Sequence, residues 1–303
     1  MGKSSAGKGD DRRARIAAQR AAQQRARTRN RLLMAGGAIV VVVAVVLAIV
    51  LTHGRGGQAS GSASPGPTGA ALVGLTAQVT SVPAAVLDQV GAGQATSVPS
   101  AITGDPLTSS GKPEMLYIGA EYCPYCAAER WSMIVALSRF GTFTGLATTR
   151  SAARNGAGTA EPYPNTATWT FANASYTSDF LAFTPVETNT NIPDPSTGGY
   201  TTLQTPTAEQ QALLQKYDAA NSGAIPFIDF GNKFMSVGAS YDPGVLQGLT
   251  WSQIAADLHD PTTAVAKSAL GAANYITAAL CKLTSEKPAT ACTAAVQALQ
   301  SRI

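Results

Sequence analysis

The chain has 303 residues, enough for one or two domains, and an apolar content of 45% that can fill a core. Its net charge of +4 joins two unlike parts, because residues 1–31 hold ten Lys/Arg against Asp10 and Asp11 and leave the rest mildly acidic. That balance excludes no enzyme class, but it weighs against nucleic acid as a partner of the folded part.

Residues 32–51, "LLMAGGAIVVVVAVVLAIVL", carry no charge. As a helix rising about 1.5 Å per residue they reach roughly 30 Å, the thickness of a bilayer's hydrocarbon core. A cleaved signal peptide has an apolar stretch of only about 7–15 residues ending in small residues. The longer stretch here, behind a long basic leader, predicts one uncleaved transmembrane helix. The leader, 1–31, then stays cytoplasmic by its positive charge, with a DNA-binding arm as the rival reading. Everything after the span is expected to be extracytoplasmic and anchored to the cell membrane. Residues 52–70 are rich in Gly, Ser and Pro and read as a flexible tether. Residues 71–303 read as one domain, with its core at 113–260 and a C-terminal helical hairpin at 262–303.

Within that domain "SVPAAVLDQVG" predicts a short helix in a preamble at 71–112. "EMLYIGA" predicts a buried strand over 115–120, and "CPYCAAERWSMIVALSRFG" an amphipathic helix that begins at the cysteines and stops at Gly141. Trp131, Met133, Ile134, Leu137 and Phe140 form its buried side. "FTGLATT", "ATWTFANASY" and "FLAFTPVET" predict strands, and 188–206 reads as a polar loop. "TPTAEQQALLQKYDAANSG" predicts a helix capped at Thr205 or Thr207. Phe227–Phe230 and Phe234–Val237 flank "GNK" and predict a β-hairpin, followed by a helix at "TWSQIAADLHD". A long helix is predicted from about Thr262 to Leu283, striped with Val265, Ala269, Ala272, Ile276 and Ala279. A short one follows, with Cys292, Val296, Leu299 and Ile303 on one face. The fold class is α/β.

The four cysteines form two pairs, and in an outward-facing domain they predict disulfide chemistry. A zinc site is hard to assemble from His53, His259 and a second pair that is not C-x-x-C, so no metal is expected. Cys123 and Cys126 fall where a strand hands over to a helix. Free N–H groups and the positive dipole end there favour a thiolate. The spacing lets Cys126 resolve a mixed disulfide formed by Cys123, and Pro124 suits a first helical turn. The rival is an inert structural bridge, although so short a loop yields little entropy on closure. Cys281 and Cys292, joined through "TSEKPA", would staple the helical hairpin as a satellite packing unit. Their rival role is a shuttle pair relaying electrons to Cys123 and Cys126.

"YIGAEYCPYCAAERW" resembles the active-site segment of the thioredoxin superfamily. Ala120, Glu121 and Tyr122 are similar to thioredoxins proper, and the Pro-Tyr between the cysteines is similar to glutaredoxins. "GAIPFIDFGNKFMSVGA" resembles the second hallmark, a cis-proline followed by a hairpin, as in extracytoplasmic oxidoreductases of the Dsb type. More narrowly, these segments and "CKLT…KPATAC" resemble the prokaryotic membrane-anchored domain-of-unknown-function family 929 over about 115–300. That family carries no established activity.

The resemblance implies a thioredoxin-like fold with an enlarged central insertion near 150–206 and a C-terminal helical hairpin, preceded by one transmembrane helix. It implies a protein thiol–disulfide oxidoreductase with Cys123 as nucleophile and Cys126 as resolving thiol. Ile225, Pro226, Tyr122, Pro124 and Tyr125 would contact substrate. No prosthetic group is implied, since the dithiol is itself the redox group. Partners would be cysteine-containing extracytoplasmic proteins and a membrane redox partner. The chain departs from thioredoxins at Tyr117, which stands where they carry a buried acid. Glu121, Glu114 or water would then take the proton of Cys126. The alternative is a non-catalytic envelope binding module with a structural disulfide.

Overall fold

The computed structural model describes residues 66–219 and 223–303. The leader at 1–31, the predicted span at 32–51 and the tether up to 65 lie outside the described residues. The preamble forms two helices, α1 (Gly69–Thr80) and α2 (Ala84–Val90), and two short strands, β1 (Ser100–Ala101) and β2 (Thr108–Ser109). Helix α1 corrects the expected tether at its end. Its Gly- and Ala-rich sequence gives little local signal, but Leu75 and Val79 bury against the core and hold it.

Strand β3 (Lys112–Gly119) is the centre of the sheet, and its last six residues are buried. It pairs in parallel with β8 (Ala182–Glu187) and antiparallel with β11 (Phe227–Phe230). Being covered on both faces, it shows a continuous apolar run without alternation. β11 continues through a turn at Gly231 and Asn232, both at positive φ, into β12 (Phe234–Val237), which pairs with β1. The mixed sheet thus runs β1–β12–β11–β3, and β3 also pairs with β8 and β2.

Helix α3 (Pro124–Leu137) follows β3 directly. It corrects the amphipathic expectation, because every residue except Tyr125 is buried. Two smaller β-sheets in the insertion explain part of this. β4 (Gly141–Thr144) pairs with β7 (Ser175–Ser178), and nested inside them β5 (Ala147–Arg150) pairs with β6 (Ala167–Thr170). From β6, the Ala167 carbonyl accepts the Trp131 indole N–H at 3.0 Å and Thr168 Oγ1 donates to Ala127 O at 2.7 Å.

The other cover is the C-terminal helix α6 (Gly271–Leu283), which is preceded by a π-type turn at Ala266–Leu270. Ser132 Oγ donates to Ala269 O at 2.8 Å, and residues 271–281 are buried on all sides. Cys281, Cys292 and Val296 belong to the same hydrophobic cluster as Trp131 and Ile134. The expected satellite hairpin is therefore part of the main core.

The polar segment 188–206 is not a loop. It contains a hairpin of β9 (Asn189–Asp194) and β10 (Gly199–Thr202). Helix α4 (Ala208–Tyr217) begins at Thr207, which forms a capping box with Gln210. Helices α5 (Trp251–Asp257) and α7 (Ala294–Leu299) complete the fold. Among the described residues no single helix is long and apolar enough to cross a membrane.

Candidate functional site

The sequence that ends β3 with Gly119-Ala120 and starts α3 with Pro124 places two thiols at one corner of the sheet. Cys123 is the N-cap of α3 and Pro124 occupies the first helical turn. Cys123 Sγ accepts the Cys126 backbone N–H at 3.2 Å, so one of the helix's free donors is spent on the sulfur. Both cysteines are free and buried, and they pack with Ala120, Tyr122 and Ile225.

From the hairpin side, Cys123 Sγ donates to the Ile225 carbonyl at 3.8 Å, and Ile225–Pro226 is a cis peptide. Ile225 is thereby brought to the nucleophile candidate, with Pro226 next in the chain. Tyr122 joins them, while Tyr125 is 39% exposed beside the pair.

The two thiols are driven apart. Burial alone would raise Cys123, but hydrogen bonds from the Cys126 side chain and backbone, and the charge of Arg130, outweigh it and hold Cys123 below the usual thiol range. Cys126 lies deeper, and burial, the hydrogen bond it gives Cys123 and that sulfur's charge push it well up. A lowered outer thiol and a raised inner one is the division of labour that dithiol exchange requires.

The sequence reading did not single out Arg130 and Glu187. Their ion pair is fully buried, with Arg130 Nε to Glu187 Oε1 at 2.8 Å and Nη2 to Oε2 at 2.6 Å. Nη2 also donates to Ala120 O at 2.6 Å, directly behind the cysteines. Arg130 is one turn past Cys126 on α3, and Glu187 ends β8 in register with Gly119. Two adjacent charges, "ER", inside an otherwise apolar helix were the available signal. Gly119 is needed here for space, because a Cβ would overlap the Tyr117 hydroxyl. Burial pushes the Tyr117 phenol well up, so it stays neutral.

The two proposed proton acceptors are placed differently. Glu121 is adjacent, with its backbone N–H donating to Asn189 O at 2.9 Å. Glu114 is five positions before Gly119, roughly 16 Å away along a strand rising about 3.3 Å per residue, and its charge acts on Asp229 instead. The structure does not bring Glu114 to the sulfurs.

The insertion adds aromatic walls that the sequence reading also missed. Tyr200 of β10 stacks on Tyr122 with centroids 4.0 Å apart, and Tyr163 meets Tyr125 edge-on at 6.1 Å. Burial first, and then the nearby sulfurs, push Tyr122 up to about 12. The Ala152 N–H donates to Tyr122 O at 2.9 Å, and Ala152 also lines a groove of about 450 Å³ with Arg150, Ser151, Asn165, Asn191 and Trp251.

Cys281 and Cys292 are bonded to each other. Among the described residues one group of potential metal ligands converges, Cys281, Glu286 and Cys292, but its sulfurs form this bridge. Glu286 accepts amide N–H bonds from Gln297 and Gln300. It is a cross-link, not an ion site. The bridge lies near Arg139, whose Nη2 donates to Ala291 O at 2.7 Å beyond the C-terminal end of α3. Cys123 is at the other end of that 14-residue helix, about 20 Å away at 1.5 Å per residue, so the pairs cannot exchange in this conformation.

No curated protein and no solved structure matches the chain. One family matches residues 99–282, more than half of the chain, and that stretch contains β3, the two free thiols, the Ile225–Pro226 bond and the hairpin after it. The chain belongs to the family described as Domain of unknown function (DUF929).

Proposed function

We propose that the protein is a membrane-anchored extracytoplasmic thiol–disulfide oxidoreductase with a thioredoxin-like fold. The observation that carries this reading is the asymmetric dithiol at the start of α3, with Cys123 capped by the Cys126 N–H and faced by the Ile225 carbonyl. A parallel β3–α3–β8 unit followed by α4 and the β11–β12 hairpin supports the thioredoxin-like assignment. Cys123 attacks or receives the substrate sulfur, and Cys126 resolves the mixed disulfide. Tyr122, Pro124, Tyr125, Ile225 and Pro226 border the approaching chain. The experiment is trapping. Cys126→Ser should accumulate mixed disulfides with cysteine-containing extracytoplasmic proteins, and Cys123→Ser should not. Equal and negligible trapping by both variants would leave a non-catalytic binding module as the better reading.

Location is part of the proposal and rests on the charge step across 32–51. An impermeant thiol reagent added to intact cells should label the reduced domain while the leader stays protected from added protease. Labelling only after lysis would reverse the topology.

A further inference from the structure

Arg130 is buried at considerable electrostatic cost, and its pairing with Glu187 does not by itself justify it. A buried ion pair is often no more stabilising than apolar residues of the same volume. Its charge has a second neighbour. Nη2 reaches the Ala120 carbonyl at 2.6 Å, and Ala120 packs against both Cys123 and Cys126. Nη1 is buried without a hydrogen-bond partner, so Glu187 does not consume the whole guanidinium. We propose that Arg130, positioned by Glu187, stabilises the reduced form of the pair through the Cys123 thiolate and so poises it as an electron acceptor that donates disulfides to substrate dithiols. This rests on the exchange reading and adds its direction.

The two redox states differ in the charge around the guanidinium. In the disulfide both sulfurs are neutral and Arg130 has only Glu187 as a counter-charge. In the dithiol a Cys123 thiolate adds a second anion one carbonyl away from the guanidinium, since Ala120 O accepts both Arg130 Nη2 and the Cys123 N–H, and it keeps the Cys126 N–H bond. An interaction present only in the reduced state makes the disulfide more oxidising. The aromatic groups facing the sulfurs from other elements add no charge. Tyr117 of β3, Tyr122 of the preceding loop and Tyr200 of β10 are phenols, each pushed up by burial first and so neutral. The opposing groups are the Glu187 carboxylate, the Ile225 carbonyl and Glu161, which already accepts the Tyr200 hydroxyl.

A substrate thiolate attacks Cys123 Sγ, the Cys123–Cys126 bond breaks, and Cys126 leaves and takes a proton. The second substrate thiol loses its proton to water and attacks the substrate sulfur of the mixed disulfide, releasing Cys123 as thiolate. Two electrons pass from the substrate dithiol to the protein. Turnover then requires a disulfide-bearing carrier to reoxidise the pair.

The test equilibrates the protein with reduced and oxidised glutathione and follows Cys123 alkylation against pH. Arg130→Met with Glu187→Gln removes both charges together and leaves neither unpaired. It should raise the equilibrium constant for oxidation by glutathione disulfide at least tenfold, about 30 mV toward reducing, and move the alkylation midpoint up. Glu187→Gln alone frees Arg130 from its counter-charge and should move both readings the opposite way. A purely structural pair would shift both variants in the same direction, which would overturn the proposal, as would an unchanged double variant. Should Glu187→Gln fail to fold, the double variant decides alone. Absence of any exchange in the wild type would defeat the exchange reading itself, whereas exchange that ignores Arg130 would defeat only this inference.

Discussion

Replacing Cys281 and Cys292 by Ala lowers the stability of the domain by about 3 kcal/mol and leaves dithiol exchange largely intact. The bridge closes a short loop, with a sequence separation of 11, and the chain-entropy model assigns such a loop about 3 kcal/mol. Both cysteines lie in the main hydrophobic cluster, so lost packing adds to that figure. For a domain of this size each kcal/mol moves the melting temperature by about 2–4 °C, so a fall of roughly 6–12 °C is expected. Exchange survives because the bridge and Cys123 stand at opposite ends of α3. Calorimetry and glutathione exchange on the double variant check both halves. An unchanged melting temperature with lost exchange would turn the bridge into a relay partner.

Glu129→Gln removes a pH dependence of similar size. Glu129 lies fully buried on α3, where it accepts Ser240 N–H and Oγ–H, each at 2.8 Å. Burial raises it from 4.5 to about 7, and the two Ser240 bonds only partly offset that shift. A carboxyl with a raised folded pKa binds its proton more tightly in the native state. Its contribution is therefore fully present below about 4.5 and lost as pH rises to about 7, where the buried group ionises. At about 1.36 kcal/mol per unit, the wild type should lose about 3 kcal/mol relative to Glu129→Gln across that window. Asp229, raised by burial to about 6, acts in the same direction but is common to both proteins. Urea midpoints at pH 4.5, 6 and 8, measured with Cys123 and Cys126 oxidised to exclude thiol ionisation, give the difference. Parallel profiles would mean that Glu129 does not titrate in this range.

Much of the site is legible locally. An apolar run ending in Gly-Ala, then Cys-Pro-Tyr-Cys, specifies the β3–α3 junction because strand burial, N-capping and proline's missing N–H act over a few residues. The "GNK" hairpin and the Thr207 cap are local for the same reason. The β9–β10 hairpin escaped notice because none of its residues is buried, so it has no alternating apolar face, and the ladder is made by backbone groups that every residue carries. Helix α1 likewise depends on where Leu75 and Val79 land.

What the sequence by itself determined was the pair of thiols, their place at a helix start and the proline-led hairpin, all set by short-range stereochemistry. Only the tertiary structure decided that α3 is buried at every residue but Tyr125, and that Glu187 meets Arg130 across 57 positions of chain behind the sulfurs. Charge–charge interactions in a dry interior depend on distance and burial, and neither exists until β8, α3 and α6 are packed together.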